Sequence, residues 1–147
     1  MNGERAIPRR RVLLTAAAIA LPPAAAVATP AQVTRLIHDL CGEAVPREGM
    51  VKLDLPLLVE NGNTVAMTVS VDAPPGAVDS IHVFAEGNPL PEVARFYFGP
   101  RAGSPRVSTR IRLATSQQLV AVAKMSDGSC WSKKVDVLVT LAACVEP

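Results

Sequence analysis

The feature that most restricts the fold of this chain is a repeated alternation of apolar and polar residues in short segments. Seven segments between residues 51 and 141 have the two-residue period of a strand with one buried face. They read VKLDLPLLV, TVAMTVSV, SIHVFAE, VARFYF, VSTRIRLA, LVAVAKMS and WSKKVDVLVTL. Turn-forming sequences such as Asn61-Gly62-Asn63 separate them. The pattern predicts an all-β fold, an immunoglobulin-like antiparallel β-sandwich of about seven strands over residues 51–141.

A different period precedes the predicted sandwich. Apolar residues recur at helical spacing in residues 31–40, namely at Val33, Leu36, Ile37 and Leu40. Gly42 and Pro46 then interrupt the pattern. Residues 29–50 are therefore predicted to form a short N-terminal helix and a linker. With 147 residues, the chain is long enough for one such domain and not for two.

The first 28 residues have the layout of an export signal. Arginines at positions 9, 10 and 11 precede an apolar run over residues 12–21, and the small residues Ala26, Val27 and Ala28 follow it. Arginines before such a run are recognised by the twin-arginine translocase, and the small residues predict cleavage before Thr29. A transmembrane anchor is the alternative, but the run is shorter than the roughly 20 apolar residues of a spanning helix. We therefore expect a periplasmic protein with no membrane segment after cleavage.

Removal of the signal changes the charge of the protein. Residues 1–28 contain four arginines and one glutamate, so the formal charge of +2 for the whole chain becomes −1 for residues 29–147. Aromatic residues make up only 3% of the sequence, which leaves few rings for stacking on single-stranded bases. Nucleic acid is therefore not expected as a partner.

Side chains that commonly carry catalysis or bind metals are scarce. The two histidines, His38 and His82, belong to no recognisable set of metal ligands, so the sequence predicts no metal and no cofactor. His38 is expected on the helix surface, and His82, between Ile81 and Val83, is expected to face solvent or a partner. The sequence has no nucleophile elbow, phosphate-binding glycine loop or paired-carboxylate motif. A Cys–His nucleophilic pair stays open, since partners in space need not be neighbours along the chain.

Two of the three cysteines fall at related positions in the predicted topology. If strand directions alternate, Cys41 before the first strand and Cys130 at the start of the last strand lie at the same end of the sandwich. A Cys41–Cys130 disulfide would close a loop of about 90 residues and stabilise the domain by up to about 4 kcal/mol. The alternatives are two unpaired thiols, or a bridge from Cys41 to another molecule.

The third cysteine, Cys144, follows the last predicted strand on a short arm, residues 142–147. Its neighbours Ala142 and Ala143 are small, which keeps the arm thin. An accessible thiolate on such an arm is a nucleophile that can enter another protein's pocket. This arrangement is typical of a covalent carrier, whose bound group is processed by successive enzymes.

A set of motifs in order carries a resemblance to a known family: ENG, FAEGNP, FGP, STRIRLA and MSDGSCWS. With them, residues 31–147 resemble SoxY, the sulfur-carrier subunit of periplasmic thiosulfate oxidation. The resemblance implies an immunoglobulin-like sandwich that pairs with a SoxZ-like protein as a heterodimer. It also implies that Cys144 carries a sulfur intermediate between oxidising and hydrolysing enzymes, and that the chain itself is not an enzyme.

The arm departs from the Gly-Gly-Cys-Gly-Gly sequence that the resemblance implies. Here it reads Ala-Ala-Cys-Val-Glu-Pro, which is similar to a SoxY-related group with an Ala-Ala-Cys-Ile-Glu arm. Val145 is stiffer than glycine, and the negative charge of Glu146 disfavours the thiolate. Two other functions stay open: an assembly module that pairs with SoxZ and carries nothing, and an independent thiol enzyme such as a sulfurtransferase.

Overall fold

The computed structural model describes residues 27–143, which form one helix and nine strands. The helix is α1 (Pro30–Cys41). The strands are β1 (Arg47–Glu48), β2 (Val51–Asp54), β3 (Leu58–Val59), β4 (Val65–Val71), β5 (Val78–Ala85), β6 (Glu92–Tyr97), β7 (Arg106–Ile111), β8 (Gln117–Met125) and β9 (Cys130–Val139).

These strands form two sheets packed as a sandwich. The larger sheet has the order β1-β9-β8-β5-β6, with β3 also paired to β9, and the smaller sheet has the order β2-β4-β7. All pairs between the longer strands are antiparallel. The immunoglobulin-like β-sandwich predicted from the alternation is confirmed, and each of the seven predicted segments contributes strand residues.

The first predicted segment, residues 51–59, differs from the prediction because it forms two strands. It contains β2, which pairs with β4 in the smaller sheet, and β3, which pairs with β9 in the larger sheet. Pro56 lies between them, and a proline has no N–H to donate to a strand partner. The chain therefore leaves one sheet there and crosses to the other. Both β1 and β3 run parallel to β9, so the larger sheet is mixed at this edge.

The core lies between the two sheets and contains the predicted inward positions. Along β4, Val65, Met67, Val69 and Val71 are all buried. The buried residues that the larger sheet adds to this core include Ile81, Val83, Ala85, Leu119, Ala121, Ala123 and Val137. Burying a valine or isoleucine side chain contributes about 1.5–3 kcal/mol, so a one-residue slip that exposed a whole face is strongly disfavoured.

Helix α1 covers the outer face of the larger sheet. Thr29 caps its first turn, because its hydroxyl accepts the Gln32 amide and its own amide donates to the Gln32 side chain at 2.9 Å. The helix stops at Gly42, which has a φ of 61° that favours glycine. Its apolar residue Val33 belongs to a second buried cluster with Phe84, Val120 and Val122 of the sheet.

The arginines at positions 9–11 and the apolar run over residues 12–21, which predicted the export signal, lie outside the described residues. Ala28, the last residue of the predicted signal, is buried, and its amide donates to the Asn88 carbonyl oxygen at 2.9 Å. In the described part of the chain, no helix combines the length and the apolar character needed to cross a membrane.

Candidate functional site

Strand β9 continues into a segment, residues 140–143, that is bound to the body of the sandwich. The Thr140 amide donates to the Val59 carbonyl oxygen at 2.9 Å, and the Ala143 amide donates to the Leu113 carbonyl oxygen at 3.1 Å. Ala143 is only 7% exposed, whereas Ala142 is exposed. Ala143, the second residue of the predicted arm, is therefore held against the folded domain.

Gly62 holds this segment from the other side. Its amide donates to the Leu141 carbonyl oxygen and its carbonyl oxygen accepts from the Leu113 amide, both at 2.8 Å. A Cβ atom at this position would lie 2.3 Å from the Leu113 carbonyl oxygen and 2.9 Å from the Ala143 nitrogen. A glycine is therefore required for the close approach of these backbones. We call Gly62, Leu113, Leu141 and Ala143 the arm base.

The candidate carrier residue, Cys144, lies outside the described residues together with Val145 and Glu146. It is bonded directly to Ala143, and consecutive Cα atoms are about 3.8 Å apart. Cys144 therefore begins within one residue of a buried anchor. The chain between the end of β9 and Cys144 is therefore bound to the domain through the arm base and does not form a free arm from residue 140 onward.

The other two cysteines form a disulfide at the opposite end of β9. Cys41 is the last residue of α1, Cys130 is the first residue of β9, and their Cα atoms are 6.0 Å apart. Both residues are buried. Because β9 has ten residues and a strand rises about 3.3 Å per residue, the disulfide and the arm base are separated by about 30 Å.

A buried polar cluster lies on β5 and β6, next to α1, and it corrects the prediction for His82. This residue is 6% exposed, because α1 covers the outer face of the sheet that alternation alone assigns to solvent. The His82 Nδ1 atom is 2.6 Å from Glu92 Oε1, and its Nε2 atom is 3.2 Å from Ser80 Oγ. The prediction that His82 faces solvent or a partner is wrong, whereas His38 is exposed on α1 as predicted.

The cluster has the residue types of a hydrolase triad but not its accessibility. A serine nucleophile must meet its substrate, and Ser80 is only 3% exposed. Glu92 also forms an ion pair with Arg95. The hydrogen bond from Arg95 lowers the pKa of Glu92, burial opposes this effect, and the hydrogen bond with His82 lowers the pKa further. The arrangement is a polar network in which the Glu92–Arg95 ion pair of β6 is joined to β5 by the hydrogen bond between Glu92 and His82.

The family comparison extends over most of the described residues. The family model of the sulfur oxidation protein SoxY matches residues 37–144, so the match reaches the candidate carrier cysteine. The chain belongs to the SoxY family. The structure of the sulfur carrier protein SoxY from Chlorobium limicola f thiosulfatophilum is 30% identical, with a TM-score of 0.64 over 76% of this chain and 98% of that chain. The resemblance to SoxY that the sequence motifs carry is thereby confirmed.

More distant structures share only the fold with this SoxY-family chain. The superoxide reductase (neelaredoxin) from Ignicoccus hospitalis is 22% identical, with a TM-score of 0.55 over 77% of this chain and 94% of that chain. The superoxide reductase from Nanoarchaeum equitans is 12% identical, with a TM-score of 0.52 over 63% of this chain and 100% of that chain. Among curated proteins, none matches significantly. Within residues 27–143, no three histidine, cysteine, aspartate or glutamate side chains are grouped to hold a metal ion.

The part of the site that the sequence did not reveal is Gly62. The stretch Asn61-Gly62-Asn63 is explained by turn chemistry alone, since all three residues are common in turns. A glycine that is needed for a close approach of backbones cannot be distinguished by its neighbours from a glycine that is needed for a turn. The structure supplies the distinction, because Gly62 φ is not positive while its absent side chain leaves room for Leu113 and Ala143.

Acid is expected to weaken this SoxY-family domain through Glu92. A carboxyl group whose pKa is lowered in the folded state contributes stability above its unfolded pKa, here 4.5, and that contribution is lost as the pH falls below it. We expect the Tm of the wild type to fall toward that of Glu92→Gln as the pH falls from about 5 to about 3. Thermal melts followed by circular dichroism measure this convergence.

The control for this experiment is Glu43→Gln, because Glu43 is exposed on the segment after α1. This variant should keep the acid response of the wild type. If the Glu92→Gln melting curve stayed parallel to that of the wild type over the whole pH range, the Glu92 network would not be the cause of the acid sensitivity.

Proposed function

We propose that this chain is a covalent carrier that holds a sulfur intermediate on Cys144 and presents it to partner enzymes. The observation that supports this most is the SoxY family match, which runs through the sandwich and reaches Cys144. The likeness to the sulfur carrier protein of Chlorobium limicola, over 98% of that chain, supports the same function. The chain would carry out no turnover of its own.

The chemistry on Cys144 consists of two steps: one forms an S–S bond to the cysteine, and the other cleaves the next S–S bond of the adduct. With thiosulfate, the thiol sulfur bonds to the outer sulfur atom and gives Cys–S–S–SO₃⁻, and an oxidising partner accepts two electrons while the thiol proton is released. Water that attacks the sulfonate sulfur then releases sulfate and leaves a persulfide on the cysteine. Both steps need accessible sulfur and a partner that supplies the catalytic groups.

The partners and the compartment belong to the same proposal. A SoxZ-like protein would pair with the sandwich as a heterodimer, and sulfur-oxidation enzymes would bind the Cys144 region in turn. The twin-arginine pattern in residues 1–28 supports export to the periplasm, where a disulfide such as Cys41–Cys130 persists.

The direct test is the intact mass of the protein purified from its native host, measured with and without reduction and with alkylation. We expect a small, defined mass on Cys144 that reduction removes, together with three newly alkylated sites after full reduction, namely Cys144 and the two cysteines of the Cys41–Cys130 disulfide. A Cys144→Ser variant should lose the added mass and the pathway's sulfur oxidation while its melting curve stays unchanged. A Cys144 that is bare in the actively oxidising host would rule out the carrier function.

A second function, an assembly module with a non-carrying tail, is favoured by the arm base. Ala143 is buried and bound to Leu113, which restricts the segment that a carrier has to present. The Cys144→Ser variant separates the two functions. Unchanged sulfur oxidation with retained pairing to the SoxZ-like protein would support the assembly module.

A further inference from the structure

Four leucines lie exposed at or near the arm base, and we call them the leucine surface: Leu57, Leu58, Leu138 and Leu141, the last of which also belongs to the arm base. Each is between 60% and 64% exposed. Leu58 of β3 is the register partner of Leu138 of β9, and the Leu138 amide donates to the Leu57 carbonyl oxygen at 2.8 Å. Leu141 is itself bound to Gly62. The leucine surface is therefore continuous with the segment from which Cys144 emerges.

This apolar surface departs from the pattern of the strand that carries it. The preceding exposed positions of β9 on the same face are Lys134 and Asp136, and the next one is Leu138. Half of the eight large hydrophobic residues that are strongly exposed within residues 27–143 belong to the leucine surface. Leu58 and Leu138 are register partners on neighbouring strands and so lie side by side on this face, and adjoining exposed apolar residues mark an interaction site more often than scattered single residues do.

The position of the anchor brings any protein that acts on Cys144 close to this surface. The Ala143 Cα atom and the cysteine Sγ atom are separated by one peptide unit and one side chain, about 7 Å at most. An enzyme whose pocket receives the thiol therefore has to approach the body of the domain closely. Leu141 is exposed and only two residues from Ala143, so the protein around the opening of that pocket comes near the exposed leucines.

We propose that the leucine surface is the docking site for the enzyme that loads Cys144, and that it binds an apolar rim around the opening of that enzyme's pocket. The proposal rests on the carrier function proposed above. Burial of large apolar side chains at the centre of an interface supplies much of its binding energy. Contact between the rim and the leucine surface would place the opening of the pocket beside residue 143. The cysteine would then have to move only a short distance to enter it.

The test compares the Leu58→Ser, Leu138→Ser double variant with the wild type in the native host. The readout is the fraction of Cys144 that carries the added mass. We expect this fraction to fall about tenfold or more, because the two substitutions remove a pair of adjoining apolar contacts, and a tenfold weakening corresponds to about 1.4 kcal/mol. Leu141→Ser alone should change it in the same direction. The matched control is Val45→Ser, which removes an 81% exposed apolar side chain on the linker after α1 and should leave loading unchanged.

Alkylation of the reduced protein by iodoacetamide separates docking from access to the thiol. The double variant should react at the rate of the wild type. Wild-type loading in the double variant would overturn the docking proposal and leave the carrier function standing, whereas a bare wild type would remove both. Three other results would also overturn docking: slowed alkylation, loss of a SoxZ-like subunit from the purified double variant, and a wild-type dimer that the substitutions dissociate.

Discussion

Loss of the Cys41–Cys130 disulfide is expected to lower the free energy of unfolding by about 2–5 kcal/mol. The two cysteines are 89 residues apart in sequence, and a cross-link that closes a long loop restricts the unfolded chain most strongly. The folded state also depends on this bond, because the two cysteines belong to the buried cluster between α1 and the larger sheet. A loss at the upper end of this range is a large fraction of the total stability of such a domain.

The appropriate variant is the double substitution Cys41→Ser, Cys130→Ser, since a single substitution would leave an unpaired thiol that can exchange with disulfides of other molecules during unfolding. Urea unfolding measured by circular dichroism gives the free energy, with and without a reducing agent. The reduced wild type and the double variant should unfold at the same lower urea concentration, and the reducing agent should have no effect on the variant. Equal midpoints for oxidised and reduced wild type would show that the disulfide does not stabilise the domain.

The same variant should loosen α1 before the sandwich unfolds. Val33 contacts the sheet, but most of the other helix residues are exposed or only half-buried, and isolated helices of this length are marginal in water. Hydrogen exchange of the α1 amides should become faster in the double variant, while the amides of β8 stay protected. Equal protection of α1 in both proteins would mean that apolar packing alone holds the helix.

The sandwich was predictable because its signal is local. The alternation along β4 assigns Val65, Met67 and Val69 to one face without knowledge of any other strand. The crossing at Pro56 was not predictable in the same way. Residues 51–59 keep one alternating pattern although β2 and β3 pair with different sheets, so the division depends on which neighbour each half meets in space.

The error at His82 has a similar origin. Alternation correctly separates it from Ile81 and Val83, which are in the core, but it does not say what covers the outer face. That face is covered by α1, which the sequence also predicted, and the contact between the two is a tertiary one. The polar partners Ser80 and Glu92 make the burial acceptable, because every ring nitrogen of His82 has a neighbour within hydrogen-bond distance.

The second large effect is expected at Gly62. Replacement by alanine puts a Cβ atom against backbone atoms of Leu113 and Ala143, which have no flexible end that could move away. Overpacking of this kind costs about 1–3 kcal/mol, and the segment that gives way should be residues 141–143, since it follows the end of β9 and Leu141 and Ala142 are exposed. We therefore expect Gly62→Ala to release the arm base while the sheets stay folded.

Hydrogen exchange measures this release directly. In the Gly62→Ala variant the Ala143 amide should lose protection, whereas the amides of β4 should keep theirs. The control is Gly99→Ala, because a Cβ atom there meets nothing within 4 Å and the substitution should leave exchange at Ala143 unchanged. A protected Ala143 in Gly62→Ala, with wild-type stability, would show that the backbone adjusts around the added methyl group.

If Ala143 is released and Cys144 is loaded as in the wild type, the anchored arm base is not required for carriage. If loading instead falls, while the released thiol is alkylated at least as fast, the anchor serves to present Cys144 beside the leucine surface.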